Sequence, residues 1–197
     1  MAHPPVEQTG HVDHADATQV AAVVEAARAA TPVLGSTVVV AVDGRSGSGK
    51  TLLGTAVAHA LTCPVVHLDE VYPGWDGLEA GVALATTHVL EPLARRKPAA
   101  YPRWDWMRSR PGRTVPVEAS THLVLEGCGA LVPPAAAFAA VRVWVDAPTG
   151  VRKERALSRD GETYAPHWDR WAAQEDAVYA STRPWETADL VLRTVAP

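Results

Sequence analysis

The chain has 197 residues and a mass of 20.9 kDa, is 47% hydrophobic and 20% charged, and carries a formal net charge of −4. That size and balance fit one globular domain with its own core and exclude a wholly disordered or fibrous chain. They give no support to a broadly basic surface for nucleic acid, and no apolar run approaches the ~20 residues that cross a bilayer. Cys63 and Cys128 are the two cysteines, too few for a disulfide framework. The N-terminus lacks the basic start and apolar stretch of a secretory signal. A cytoplasmic chain is the expectation.

Residues 1–14 hold prolines with His3, His11 and His14 and read as a solvated tail. From Ala15 to Ala30, Val20, Val23, Val24 and Ala27 share one helical face. Thr31-Pro32 and Gly35 end that helix. Tail and helix occupy residues 1–34, ahead of a main domain over 35–197. The period then changes. Thr37–Val42 is a continuous apolar run, mostly β-branched, which suits a strand buried on both faces of a parallel sheet. Further strands are expected at Pro64–Leu68, His122–Glu126, Val141–Asp146 and Asp189–Leu192. Helical patterns lie between them, over Thr51–Leu61, Leu78–Arg96 with a kink at Pro92, Thr149–Ser158 and His167–Thr182. This alternation predicts an α/β fold with a parallel sheet. The stretch Arg95–Pro116, rich in Pro, Arg and Trp, fits no regular element and reads as a long functional loop.

The first strand runs into Gly44-Arg45-Ser46-Gly47-Ser48-Gly49-Lys50-Thr51 and then a helix. This is the G-x-x-x-x-G-K-[ST] phosphate loop in its proper setting. Its glycines let backbone N–H groups close around a phosphate, and the helix N-terminus adds a positive dipole end. Lys50 is expected to reach the β- and γ-phosphates of ATP and Thr51 to hold Mg²⁺. The chain has three lysines against fifteen arginines, so a lysine at this position stands out. None of the three lysines is followed by x-Asp, as the N-K-x-D motif of GTP-binding switches requires. The length leaves little room for a motor module, and a small-molecule kinase fits it better.

The chain resembles the uridine kinase-like branch of the P-loop nucleoside and nucleotide kinases. The resemblance rests on Gly44–Thr51, His67-Leu-Asp-Glu-Val-Tyr72, Tyr101-Pro-Arg-Trp-Asp-Trp106 and Val124-Leu-Glu-Gly127. It continues through Val145-Asp-Ala-Pro148 into Arg152-x-x-Arg155-x-x-x-Arg159-Asp-Gly161. It implies a three-layer P-loop fold, a five-stranded parallel sheet of order 2-3-1-4-5, and a small lid around residues 149–165. It also implies that Asp69 prepares an acceptor hydroxyl and stands near Mg²⁺, and that Arg155 and Arg159 close over the transferring phosphoryl group.

Glu126 ends a strand beside the same crevice, where it would hold a Mg²⁺ water, the acceptor, or a structural hydrogen bond. Tyr72, Trp75, Arg103, Trp104 and Asp105 combine aromatic faces with polar groups and are expected to bind the acceptor. Trp168, Trp171 and Val178 recur at helical spacing and are expected in the core. Arg103, Arg108, Arg110 and Arg113 make the intervening loop basic, which leaves a nucleoside monophosphate acceptor open beside a nucleoside-like hydroxyl. An ATP-binding regulatory module without rapid turnover is the third reading. A small-molecule partner and a monomer or homodimer are expected, with no nucleic acid or membrane.

Overall fold

The computed structural model describes residues 15–194, so the expectation for His3, His11 and His14 lies outside the described residues. Asp16 opens the first helix, α1 (Ala17–Ala29), by accepting the backbone N–H groups of Thr18 and Gln19, which satisfies two of its orphan donors. Strand β1 (Val38–Asp43) follows, buried at every residue. It leads through the glycine loop into α2 (Lys50–Leu61) and then β2 (Val65–His67).

The helix expected over Leu78–Arg96 forms in three pieces: α3 (Leu78–Ala85), a π-helical turn (Thr86–Leu90) and α4 (Glu91–Ala94). Pro92 has no N–H and would crowd the preceding turn in a regular helix. The wider turn, in which Glu91 N–H donates to Thr86 O, absorbs the conflict.

The stretch expected to be a loop is instead a β-hairpin. Strands β3 (Ala99–Asp105) and β4 (Arg110–Val117) pair antiparallel as a separate two-stranded sheet. The chain continues through β5 (His122–Glu126), β6 (Ala139–Asp146), α5 (Thr149–Tyr164, broken at Gly161), α6 (Trp168–Thr182) and β7 (Leu190–Arg193).

The main sheet is parallel throughout, in the order β2-β5-β1-β6-β7. Counting only its own strands, this is the expected 2-3-1-4-5. Two cores flank it. One joins Leu68, Leu78, Leu90, Leu123 and Leu125 to Trp168, Trp171 and Val178, as expected for those three residues. The other sets Val23, Val24 and Ala27 of α1 against Val40, Val42, Val57, Val141 and Val143. Helix α1 thus completes one face of the sheet. Among the described residues, no helix is long and apolar enough to cross a membrane.

Val23 is fully buried in that second core. Val23→Ala is expected to lower unfolding free energy by about 2 kcal/mol, from lost transfer and the cavity left behind. Urea unfolding checks it. A loss below about 0.5 kcal/mol, the scale of an ordinary surface substitution, would show that α1 adds little to the domain.

Candidate active site

Asp43 ends β1 and is fully buried. Its carboxylate accepts the N–H groups of Gly44 (2.7 Å), Gly129 (2.9 Å) and Leu131 (2.8 Å), and the Tyr179 O–H (2.6 Å). Burial pushes its pKa up to about 6, against the pull of these donors. The loop then turns at Gly47 (φ 78°) and Gly49 (φ 93°). A Cβ on Gly47 would sit 2.1 Å from the Arg152 carbonyl oxygen, so no larger residue fits where the loop crosses α5.

This loop suits an anion. Lys50 is 8% exposed and has no hydrogen-bond or ion-pair partner among the described residues. Burial lowers its pKa, but the potential of Cys128, Glu126, Glu175 and Asp69 outweighs this and holds the ammonium above its ordinary range. The Ser48 hydroxyl is also buried without a partner. A desolvated cation and an orphan hydroxyl at a helix N-terminus fit bound phosphate oxygens, as a nucleoside triphosphate would supply.

The sheet register places β2 and β5 side by side, with His67 opposite Glu126, and sets Glu126 opposite Val42 of β1. Glu126 is 1% exposed. One of its oxygens accepts the Thr51 O–H (2.9 Å), and the other lies 2.7 Å from His67 Nδ1. That hydrogen bond raises the His67 pKa despite burial. Asp69 follows at the mouth; partial burial of its carboxylate and the nearness of Glu126 raise its pKa, while Lys50 and His67 oppose the shift. Ligand atoms of His67, Asp69 and Glu126 lie within 4.8 Å of one another. Thr51, Asp69 and Glu126 offer the hard oxygen donors that Mg²⁺ takes, while His67 offers a nitrogen and is engaged with Glu126; the three oxygen donors fit that ion.

Beyond them opens a cleft of about 330 Å³, lined by Thr51, His67, Asp69, Glu70, Arg103, Trp104 and Trp106. The hairpin forms its far wall. Glu70 anchors that wall, accepting the Tyr101 O–H (2.6 Å) and pairing with Arg103 (2.9 Å). The indole of Trp106 donates to the Asp69 carbonyl (2.9 Å).

The structure places Thr51, Asp69, Arg103 and Trp104 around one cleft, with Glu126 bound to Thr51 and Lys50 within the potential of Glu126 and Asp69. Others lie elsewhere. Tyr72 is buried, with its hydroxyl on the Cys128 carbonyl (2.7 Å), so it belongs to the core wall and not to the cleft surface. Trp75 packs against Trp106, Tyr164 and His167. Asp105 caps the hairpin turn through Arg108. Arg155 donates to the Thr194 hydroxyl (2.9 Å), which donates to the Ser48 carbonyl (2.7 Å). Arg159 is exposed on the same helix.

Three residues went unread in the sequence: His67, Tyr164 and Glu175. His67 lies two positions before Asp69 at a strand end. Glu175 falls at an apolar-face position of its helix, which is the signal that could have found it.

No family model matches the chain, and no curated protein matches it by sequence. Solved structures do. A provisionally assigned uridine kinase from Bacillus stearothermophilus aligns over 89% of this chain and 97% of its own, at 20% identity and a TM-score of 0.65. A provisionally assigned fructose transport system kinase from Silicibacter sp. TM1040 aligns over 90% of this chain and 98% of its own, at 22% identity and a TM-score of 0.53. The chain has the fold of these P-loop kinase-like proteins.

Asp43 gives this region a pH signature. Its folded pKa of about 6 lies above the ordinary 3.8. The group therefore favours the folded state while protonated, and that advantage is lost as pH rises from about 4 to 6. At 1.36 kcal/mol per unit the loss amounts to about 3 kcal/mol. Unfolding curves of wild type and Asp43→Asn across this range should diverge in slope, with the variant lacking the fall. Parallel profiles would show that Asp43 titrates as an ordinary carboxylate.

Proposed function

We propose that this chain is a Mg²⁺- and ATP-dependent small-molecule kinase that phosphorylates a hydroxyl of a neutral, nucleoside-like acceptor. One observation carries the reading: Thr51 of the phosphate loop and Asp69 line the same cleft as the hairpin residues Arg103, Trp104 and Trp106. A donor bound on the loop and an acceptor held against the hairpin would meet at Asp69.

In this reading Lys50 and the loop amides bind the β- and γ-phosphates. Thr51, with Asp69 and Glu126, would hold Mg²⁺, which when bound would offset negative charge on the phosphate oxygens. Asp69 accepts or orients the acceptor hydroxyl proton. Arg155 and Arg159 turn toward the transferring group when the lid closes. Trp104 and Trp106 offer ring faces to a base or sugar.

The charges of the cleft favour a neutral acceptor over a monophosphate. Of the hairpin arginines, only Arg103 lines it, and Arg103 is already paired with Glu70. Arg108 is bound to Asp105 at the turn, and Arg110 and Arg113 are exposed on β4. Asp69 and Glu70 would repel a second phosphate. The protein acts on its small-molecule acceptor as a monomer or homodimer. Its free thiols, Cys63 and Cys128, suit the reducing cytoplasm.

ADP release from Mg·ATP, across nucleosides, sugars, other alcohols and their monophosphates, tests this. Release should rise with one neutral acceptor. Lys50→Ala and Asp69→Asn should each lower that rate by about 10²-fold or more. An undiminished rate in Asp69→Asn would remove the base assignment. Tight ATP binding with no acceptor-stimulated release would favour the regulatory module.

A further inference from the structure

Ser46 is the most tightly held residue of the phosphate loop. Every polar group it has is bound by the two helices that follow β6. Its N–H donates to Glu175 Oε1 (2.7 Å), its carbonyl accepts from Arg152 Nη1 (3.2 Å), and its Oγ accepts the Tyr164 O–H (2.9 Å). Arg152 and Tyr164 belong to α5 and Glu175 to α6. All four residues are buried.

The clamp is itself braced. Glu175 Oε1 also accepts from Trp171 Nε1 (3.0 Å) and from the Cys128 thiol (3.2 Å); burial raises the Cys128 pKa well above its ordinary value, so the sulfur keeps its proton. Glu175 Oε2 lies 3.8 Å from Arg45 and 3.9 Å from Arg152. Arg152 further donates to the carbonyl of Ala147 and the hydroxyl of Thr149, both at 3.2 Å. On its other side, the Tyr164 ring stacks on Trp75 at 5.3 Å, and Trp75 packs on Trp106 at 4.8 Å. Trp106 lines the acceptor cleft. A chain of direct contacts thus runs from the cleft wall through Trp75 and Tyr164 to the phosphate loop.

We infer that Tyr164 and Glu175 are positioning residues that fix Ser46, set the shape of the phosphate loop, and join that shape to the aromatic wall of the acceptor cleft. The inference rests on the reading that the loop holds nucleotide phosphates. The physical reason is desolvation. Buried N–H, C=O and hydroxyl groups cannot be released without leaving them unsatisfied. The Ser46–Gly47 peptide begins the turn whose N–H groups face a phosphate, and Gly47 has no slack against Arg152. A displaced Ser46 would therefore misdirect donors that neither Tyr164 nor Glu175 touches.

Calorimetric titration with Mg·ADP tests this on full-length protein. Tyr164→Phe keeps the ring stack and loses only the hydroxyl; it should weaken binding about fivefold to tenfold, the usual worth of one such bond. Ser46→Ala should weaken it about as much, and the double variant should be no weaker than either single one. Thr86→Val loses a buried hydroxyl bond to the Val82 carbonyl, remote from Ser46, and should bind as wild type. Glu175→Gln keeps an acceptor for the Ser46 N–H and should stay within about twofold, while Glu175→Ala should not.

Should Glu175→Ala fail to fold, the Tyr164–Ser46 cycle decides alone. Wild-type affinity in folded Tyr164→Phe would overturn the inference and leave the nucleotide reading standing. So would additive losses in the double variant. A wild-type protein that does not bind Mg·ADP would overturn both.

Discussion

The site depends on one buried carboxylate. Glu126 is 1% exposed, and a carboxylate taken from water costs several kcal/mol unless donors replace its hydration. Thr51 and His67 supply those donors, one on each oxygen. They come from the first turn of α2 and the end of β2, while Glu126 itself ends β5. Satisfying one desolvated group therefore locks three elements together at the C-terminal edge of a parallel sheet. That edge is where open α/β sheets bind ligands. Asp69, two residues beyond His67, inherits its place beside the phosphate loop from the same arrangement.

The far side of the cleft is built on a different principle. A two-stranded hairpin is marginal by itself, and β4 is largely exposed. Glu70 holds it by accepting Tyr101 and pairing with Arg103, and the Trp106 indole adds a bond to the backbone at Asp69. These polar ties consume Arg103, which lines the cleft. The remaining hairpin arginines lie at the turn or on the outer strand. A basic stretch of sequence thus leaves Arg103 as its contribution to a lining that also carries Asp69 and Glu70, and the proposed preference for a neutral hydroxyl acceptor rests on that arrangement.

Much of this was legible in the sequence, for identifiable reasons. Strands of a parallel sheet are covered on both faces, so Val38–Asp43 and His122–Glu126 appear as continuous apolar runs. The phosphate loop needs glycine at fixed positions, and its motif is local. The hairpin is not legible in the sequence because β4 buries almost nothing and so shows no alternation, while Pro102, Pro111 and Pro116 suggest irregular chain. Proline is tolerated there because the hairpin is all edge. Tyr72 looked like a binding residue because its neighbours are polar, yet its ring fills the core beside Gly81, where a Cβ would come within 2.3 Å of it. Glu175 and Tyr164 lie more than a hundred residues from Ser46. No local pattern predicts such pairing; only a glutamate on the buried face of α6, in line with Trp168, Trp171 and Val178, hints at it.

In the proposed function, one cleft joins a triphosphate donor to a neutral hydroxyl acceptor. Phosphorus NMR of the product formed from Mg·ATP and a mixed pool of nucleosides, sugars and their monophosphates tests it most directly. A new phosphate monoester resonance that grows with ADP is the expected result. A new phosphoanhydride resonance, the mark of transfer to a monophosphate, would contradict it.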